Sequence, residues 1–369
     1  MSPILFTTAF LGVFALLSLY IQRRFIQKLH LLAKTKKSLS FFLILNYIAL
    51  IGYMLSRYFI DIPNLLYFLF SIPIGVVFLL FCTTIFYELF AFTISKTPIS
   101  QSKRELFKKS LDISSLAAAF GIGTKAIYNA KVIEIEKVDI KLRNLKKSYK
   151  IAQLSDIHIG GIVDREFIQE IVQKTNNLNP DLVVITGDLI DVKISSTKAA
   201  IDELKNLKST FGTYYILGNH EYFHNPYEII EYVKSIDIRV LENDSVLIND
   251  DFYLCGVYDI FGYRLKSLIP DLNKALSATS NDKATILLAH QPKFVEYIYG
   301  GVDLMLSGHT HGGQIYPFRL LVGLQQPYIS GLHRHNKNMQ VYVSKGTGFW
   351  GPPMRLGASS EISDITIFS

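Results

Sequence analysis

The chain has 369 residues, 49% of them hydrophobic, and a formal net charge of +7. That length admits more than one domain and a sizeable core. Its two cysteines, Cys82 in an apolar run and Cys255 in a polar one, are too few and too differently placed to form a disulfide framework.

Three long uncharged runs come first, over residues 2–22, 38–56 and 62–87. Each is about the length that crosses ~30 Å of hydrocarbon as a helix. A cleavable signal peptide carries positive charge ahead of its apolar stretch. Here Arg23, Arg24 and Lys28 follow it instead, so the first run reads as a retained helix with its N-terminus outside. Residues 1–128 hold 13 Lys+Arg against 4 Asp+Glu, a balance of +9, and the remainder holds 25 against 27, a balance of −2. The positive charge is therefore a topology signal, and no nucleic-acid partner is expected. By the positive-inside bias, the basic loop 23–37 faces the cytoplasm. The balanced loop 57–61 faces outward, and the loop carrying Lys96, Lys103, Arg104, Lys108 and Lys109 faces inward again. Residues 111–128 are apolar in their middle, with Asp112 and Lys125 near the ends, and read as a fourth crossing. The alternative is an interfacial helix, which leaves the rest of the chain in the cytoplasm.

From Lys131 the texture changes. "VIEIEKVDIKL" alternates apolar and charged residues, as a half-buried strand does. "KIAQLSD", "LVVITGD", "TYYILGN", "ATILLAH" and "DLMLSGH" then read as buried strands with polar tips, with helices over about 164–178 and 196–208 between the first three. Strand–helix–strand alternation implies sheet layers covered by helices. The expected organisation is a membrane region over 1–128 with three to four spans, a linker and first strand over 129–147, and an α/β domain over 148–369.

The tips carry the chemistry. "SDIH" supplies Asp156 and His158, and "GDLID" supplies Asp188 and Asp191. "GNHE" supplies Asn219, His220 and Glu221, "AHQP" supplies His290, and "GHTH" supplies His309 and His311. Taken singly, each has a plain reading as a turn, a cap or a surface residue. Together they share a place, because ligands of open α/β sheets bind beyond the carboxyl ends of the strands. Asp, His and Asn without Cys suit Mn, Fe or Zn, and argue against a structural zinc site. Gly308, Gly312 and Gly313 are expected to give the last turn the backbone freedom that aims two alternate histidines into one site.

Five motifs in this order, D-x-H, G-D-x-x-D, G-N-H-E, H and G-H-T-H, resemble the calcineurin-like metallophosphoesterases over roughly 148–369. "GHTHGGQIYP" and the tail "VSKGTGFWGPPMRLGASSEISDITIF" resemble their bacterial YkuE/YaeI-like branch. The resemblance implies a four-layer α/β/β/α sandwich behind the α-helical membrane region and anchoring to the bacterial inner membrane, which the apolar runs make multi-pass. It implies two divalent metals, one held by Asp156, His158, Asp188 and His311, the other by Asp188, Asn219, His290 and His309. Asp188 bridges them, Asp191 and Glu221 orient the ligands and His220, and His220 protonates the leaving group.

The segment "IYPFRLLVGLQQPY" is apolar close to the last ligands. It reads either as core packing or as a lip that meets membrane lipids and a lipid head group. Arg355 reads as a phosphate ligand, as a residue that supports the metal ligands from behind, or as a surface charge. The expected substrate is a phosphate ester or pyrophosphate, lipid-linked or from the envelope, with UDP-2,3-diacylglucosamine one candidate. The alternatives are a broad phosphodiesterase on soluble nucleotides and a non-enzymatic membrane sensor that keeps the metal fold.

Overall fold

The structure, a computed structural model, describes residues 3–60 and 62–369; Met1, Ser2 and Asp61 of the expected loop 57–61 lie outside the described residues. The chain divides into two compact units, Met1–Tyr128 with Gly351–Met354, and Asn129–Trp350 with Arg355–Ser369.

The first unit is helical: α1 (Pro3–Arg24), α2 (Ala33–Tyr58), α3 (Asn64–Lys96) and α4 (Gln101–Ala130), the last running on into the second unit. Among the described residues, three helices are long and apolar enough to cross a membrane: Ile4–Lys28, Ala33–Tyr58 and Asn64–Lys96. Their few hydroxyls bond back along the helix, as Ser71 does to the Phe68 carbonyl and Thr84 to that of Leu80. Bonds of this kind satisfy those two hydroxyls in an apolar medium. Ile21, Phe25, Leu43, Leu50, Val77 and Tyr87 pack into one buried cluster. Phe41, Ile48, Leu65, Phe86 and Phe92 point outward and are exposed, an arrangement that water penalises and hydrocarbon does not.

The expected fourth crossing is the C-terminal part of the longer helix α4, which begins at Gln101 and is not among those three helices. Its carboxylate Asp112 is buried and fully engaged. It accepts from the Tyr87 hydroxyl (2.9 Å) and the His30 backbone N–H (2.5 Å), and lies 3.1 Å from His30 Nδ1.

The second unit is mixed α/β. Its strands are β1 (Ile133–Lys141), β2 (Tyr149–Leu154), β3 (Leu182–Thr186), β4 (Thr213–Ile216), β5 (Ile238–Val240), β6 (Asp244–Ile248), β7 (Phe252–Gly256), β8 (Ala284–Leu288), β9 (Leu304–Ser307), β10 (Gly331–Arg334), β11 (Gln340–Val343) and β12 (Ser360–Phe368). One six-stranded sheet has the order β1-β12-β2-β3-β4-β5 and the other β10-β11-β9-β8-β7-β6. Within them β2 to β5 run parallel, as do β7, β8, β9 and β11. The sheets face each other across Ile151, Val184 and Ile216 on one side and Leu254, Ile286 and Leu306 on the other.

Helices α5 (Arg165–Asn177), α6 (Ile194–Ile201) and α7 (Pro226–Ser235) cover the outer face of the first sheet. In α5 the buried residues Ile168, Ile171, Val172 and Thr175 recur at helical spacing, and the Asp164 side chain caps the Phe167 N–H at 3.0 Å. The helix expected over 196–208 is shorter: α6 stops at Ile201, and a 3-10 turn over Asp202–Asn206 follows, where Glu203 accepts from Arg165 and from Gln169 of α5. Short helical turns carrying Ala275, Phe294 and Val295 cover the second sheet. The layers are thus helix, sheet, sheet and helix, as the resemblance implied.

Candidate metal centre

The five expected tips follow β2, β3, β4, β8 and β9, all leaving their strands at the same end of the parallel arrays. The chain there adopts strained backbone. Asp156, His158, Asp188, His309 and His311 have φ of 52°, 56°, 50°, 71° and 50°. Such values are rare outside glycine and persist where surroundings over-determine them. The expectation for the glycines therefore needs correction. Gly312 and Gly313 have positive φ, but Gly308 does not; a side chain there collides with Ser155 and Asp156, so close approach is its requirement. The histidines themselves take the left-handed turns. Gly218 serves in the same way, since a Cβ on it meets the Asp188 carboxylate.

The structure brings the expected donors into three groups, two of which share His158: Asp156, His158 and His311; Asp188, His290 and His309; and His158, Asp191 and His220. His158 Nε2 lies 3.0 Å from His311 Nε2 and 3.9 Å from Asp188 Oδ2, and His311 Nε2 lies 3.6 Å from Asp156 Oδ1. His290 Nε2 lies 3.2 Å from both Asp188 Oδ2 and Asn219 Oδ1. Asp188 thus stands between the two halves.

The far ring nitrogens are already used. His158 Nδ1 donates to Asp191 Oδ1 (2.9 Å) and His290 Nδ1 to the Thr186 carbonyl (2.7 Å). Each Nε2 is left as a lone pair facing other acceptors, which is how metal-ligating histidines are oriented. Two acceptor nitrogens at hydrogen-bond distance, beside two buried carboxylates, fit divalent cations. Cys255 takes no part; its thiol is buried elsewhere and pushed up to about 12 by that burial.

Electrostatics tell the same story. Burial alone would raise the Asp188 carboxyl, but His290 and His220 hold it well below the usual range. Burial would lower His290, but Asp188 holds it well above its ordinary value. Burial and the His290 charge push His309 down to about 3, and burial and His158 push His311 well down.

Glu221 is completely buried and accepts from four backbone N–H groups, those of Gly218 (2.7 Å), Asp188 (3.2 Å), Leu189 (2.7 Å) and Ile190 (3.1 Å). It ties the tip after β4 to the tip after β3. Asp191 Oδ1 accepts from both His158 and His220, the latter at 2.5 Å.

Arg355 is neither a phosphate ligand open to substrate nor a surface charge. It is fully buried and donates to the carbonyls of Lys345 (2.8 Å), Gly346 (3.1 Å), Gly348 and His311 (3.3 Å), locking the tail loop under the site. In the apolar segment, Tyr316, Phe318, Leu320, Leu321 and Leu324 are exposed, while Val322 and Tyr328 are partly buried, so core packing does not account for it.

Sequence reading passed over Ser155, whose hydroxyl donates to Asp156 (2.6 Å), and the rings of Phe223 and Trp350 beside His220. A Ser before the D-x-H aspartate and aromatics beside two motifs were the available signals.

The calcineurin-like phosphoesterase family matches residues 149–313. An uncharacterized metallophosphoesterase of Helicobacter pylori is 39% identical over 308 residues, 83% of each chain. A transmembrane protein with metallophosphoesterase domain from Danio rerio is 35% identical over 272 residues, 70% of this chain and 62% of that one. The uncharacterized metallophosphoesterase YkuE of Bacillus subtilis is 27% identical over 303 residues, 73% of this chain and 98% of its own. Because so similar a metallophosphoesterase aligns over 83% of its length, this chain belongs to the calcineurin-like metallophosphoesterases and is a metal-dependent hydrolase of phosphate esters.

Proposed function

We propose that the chain is a membrane-anchored phosphoesterase that cleaves a phosphate ester or pyrophosphate bond of a lipid-linked or envelope substrate, with its catalytic unit outside the cytoplasm. The observation that carries the substrate class is the exposed run Tyr316, Phe318, Leu320, Leu321 and Leu324, which begins within five residues of His311. Exposed apolar patches of this kind mark surfaces that meet lipid or another partner.

Asp156, His158, Asp188 and His311 would hold one cation, and Asp188, Asn219, His290 and His309 the other. When bound, two divalent cations supply Lewis acidity toward the phosphoryl oxygens and a lowered pKa for water. The protein's own part falls to His220. Its Nδ1 donates to Asp191, and its Nε2 points toward the ligand cluster, 3.8 Å from Asp188 Oδ2. As the water oxygen bonds to phosphorus and the phosphorus–oxygen bond to the leaving group breaks, His220 Nε2 gives its proton to the leaving oxygen. The proton lost by water goes to solvent and restores the acid. Asp191 holds the imidazole in register and stabilises its charged form.

The reading of the membrane side draws its support from α4. His30, in the basic loop assigned to the cytoplasm, holds Asp112, so Asp112 sits at that interface. From Ile113 to Tyr128 the helix rises about 24 Å at ~1.5 Å per residue, close to the ~30 Å of hydrocarbon. Ile113, Phe120, Ile122 and Tyr128 are exposed along it, and Lys125 is near enough to the end to extend to water. These features support a fourth crossing.

The test is a substrate panel with the full-length protein and Mn²⁺: a nitrophenyl diester, a nucleotide, and lipid pyrophosphates that include UDP-2,3-diacylglucosamine. Turnover fastest on the lipid pyrophosphates is expected. Fastest turnover on the nucleotide overturns the lipid reading, and no turnover on any of them favours a sensor.

A further inference from the structure

Two aromatic rings bracket His220. The Phe223 ring centroid lies 5.6 Å from the imidazole, at 88°, and that of Trp350 lies 5.7 Å away, at 79°. Both rings reach the surface, Phe223 being 59% exposed and Trp350 40%. Neither is loosely held. Phe223 packs edge-on against Phe261 at 5.1 Å. The Trp350 backbone is clamped by one side chain, since Gln314 Nε2 donates to its carbonyl (2.8 Å) and Gln314 Oε1 accepts from its N–H (3.1 Å). Gln314 also lies two residues before Tyr316, where the exposed apolar run begins. The same side chain thus holds Trp350 next to the start of that run.

We infer that Phe223 and Trp350 form a leaving-group subsite that selects a departing group carrying an apolar chain. This deepens the proposed function and rests on it. The position of His220 gives the subsite its meaning. A general acid must lie against the oxygen that departs, so whatever flanks it touches the leaving group and not the phosphoryl group that stays behind. Two rings at steep angles to the imidazole leave a slot with apolar walls. An alkyl or aryl chain that enters it loses its water and gains contact, whereas a hydroxylated or charged one loses water without repayment by hydrogen bonds. The lipid part of the substrate is then the part that leaves, and the more polar phosphate product remains at the ligand cluster.

The test uses full-length protein in nanodiscs with Mn²⁺ and three phosphodiesters. The first, 4-octylphenyl methyl phosphate, carries the chain on the departing phenol. The second carries a triglycol chain on that phenol. The third, phenyl octyl phosphate, carries the octyl chain on the retained ester. The subsite predicts kcat/KM for the first at least about tenfold above the other two, because each buried methylene contributes several-fold. Trp350→Ala and, separately, Phe223→Ala should each cut that ratio by about tenfold or more, and Trp350→Phe should keep most of it. Metal content per chain, measured in every variant, identifies a variant that has lost its fold, and the other variant then decides. Equal preference for the octyl chain on either side, or equal losses on all three substrates in both variants, overturns the subsite while leaving the phosphoesterase intact. No turnover of any diester by the wild-type protein overturns the proposed function and the subsite with it.

Discussion

Asp188 is the residue on which both halves of the site depend. Its carboxylate lies within 3.2 Å of His290 and 3.9 Å of His158, and it also accepts from the His220 N–H at 2.8 Å. Asp188→Asn is expected to lower turnover by at least ~10²-fold and to bring metal content below one ion per chain, read by elemental analysis. Retained two-metal content with full turnover would remove the shared-ligand reading. His220 predicts a different pattern. His220→Ala should keep its metals and lose about 10²–10⁴-fold on substrates with poor leaving groups. Loss should be much smaller with nitrophenol, which departs without a proton. Equal losses on both would count against proton donation by His220. Glu221 shows a third kind of dependence. It touches neither a ligand atom nor the acid, yet its four accepted N–H bonds fix the backbone that presents Asp188 and Asn219.

At the scale of elements, the strand tips were legible because period and type agree: an apolar run of four to six residues, then a polar donor. What the tips do with their backbone was not legible. Nothing in "GHTHGG" says that the histidines, rather than Gly308, take positive φ, because that follows from the space around Ser155 and Asp156. Arg355 was ambiguous for a related reason. Its fate depends on carbonyls from His311, Lys345, Gly346 and Gly348, which only the folded tail brings together. The apolar segment after Ile315 was ambiguous because a buried strand and an exposed lip have the same composition. Helix α4 was ambiguous because Asp112 looked costly, and the structure shows that acid engaged by Tyr87 and His30. Asp112→Ala removes these bonds and leaves two donors without a partner. It should destabilise the helical unit by about 1–3 kcal/mol, seen as a lower unfolding midpoint in bilayer discs, and Asp112→Asn should cost less. An unchanged midpoint for Asp112→Ala would mean that those bonds contribute nothing to stability.

For the whole molecule, the proposed outer position of the catalytic unit has a direct test. A single cysteine at the exposed Ser280, with Cys82 and Cys255 replaced, should react with a membrane-impermeant thiol reagent in cells whose outer barrier is permeabilised. Labelling only after lysis would put that unit in the cytoplasm and make α4 a surface helix. The order of the first sheet adds a requirement on biogenesis. Strand β1 directly follows α4, yet among the described residues its sheet neighbour is β12 alone, paired with it from Ile133↔Ser360 to Lys141↔Phe368. The two strands are more than two hundred residues apart, which at ~5–20 residues per second means roughly ten to forty seconds of synthesis. Throughout that interval the anchor can be in the bilayer while the strand beside it has no mate and the sheet stays open. Exposed Lys137, Asp139 and Lys141 alternate along β1 and discourage it from pairing with a neighbouring chain in the meantime. A nascent chain halted before its last strand would therefore be a tethered, unclosed domain, one that proteases or chaperones on that side of the membrane would meet first.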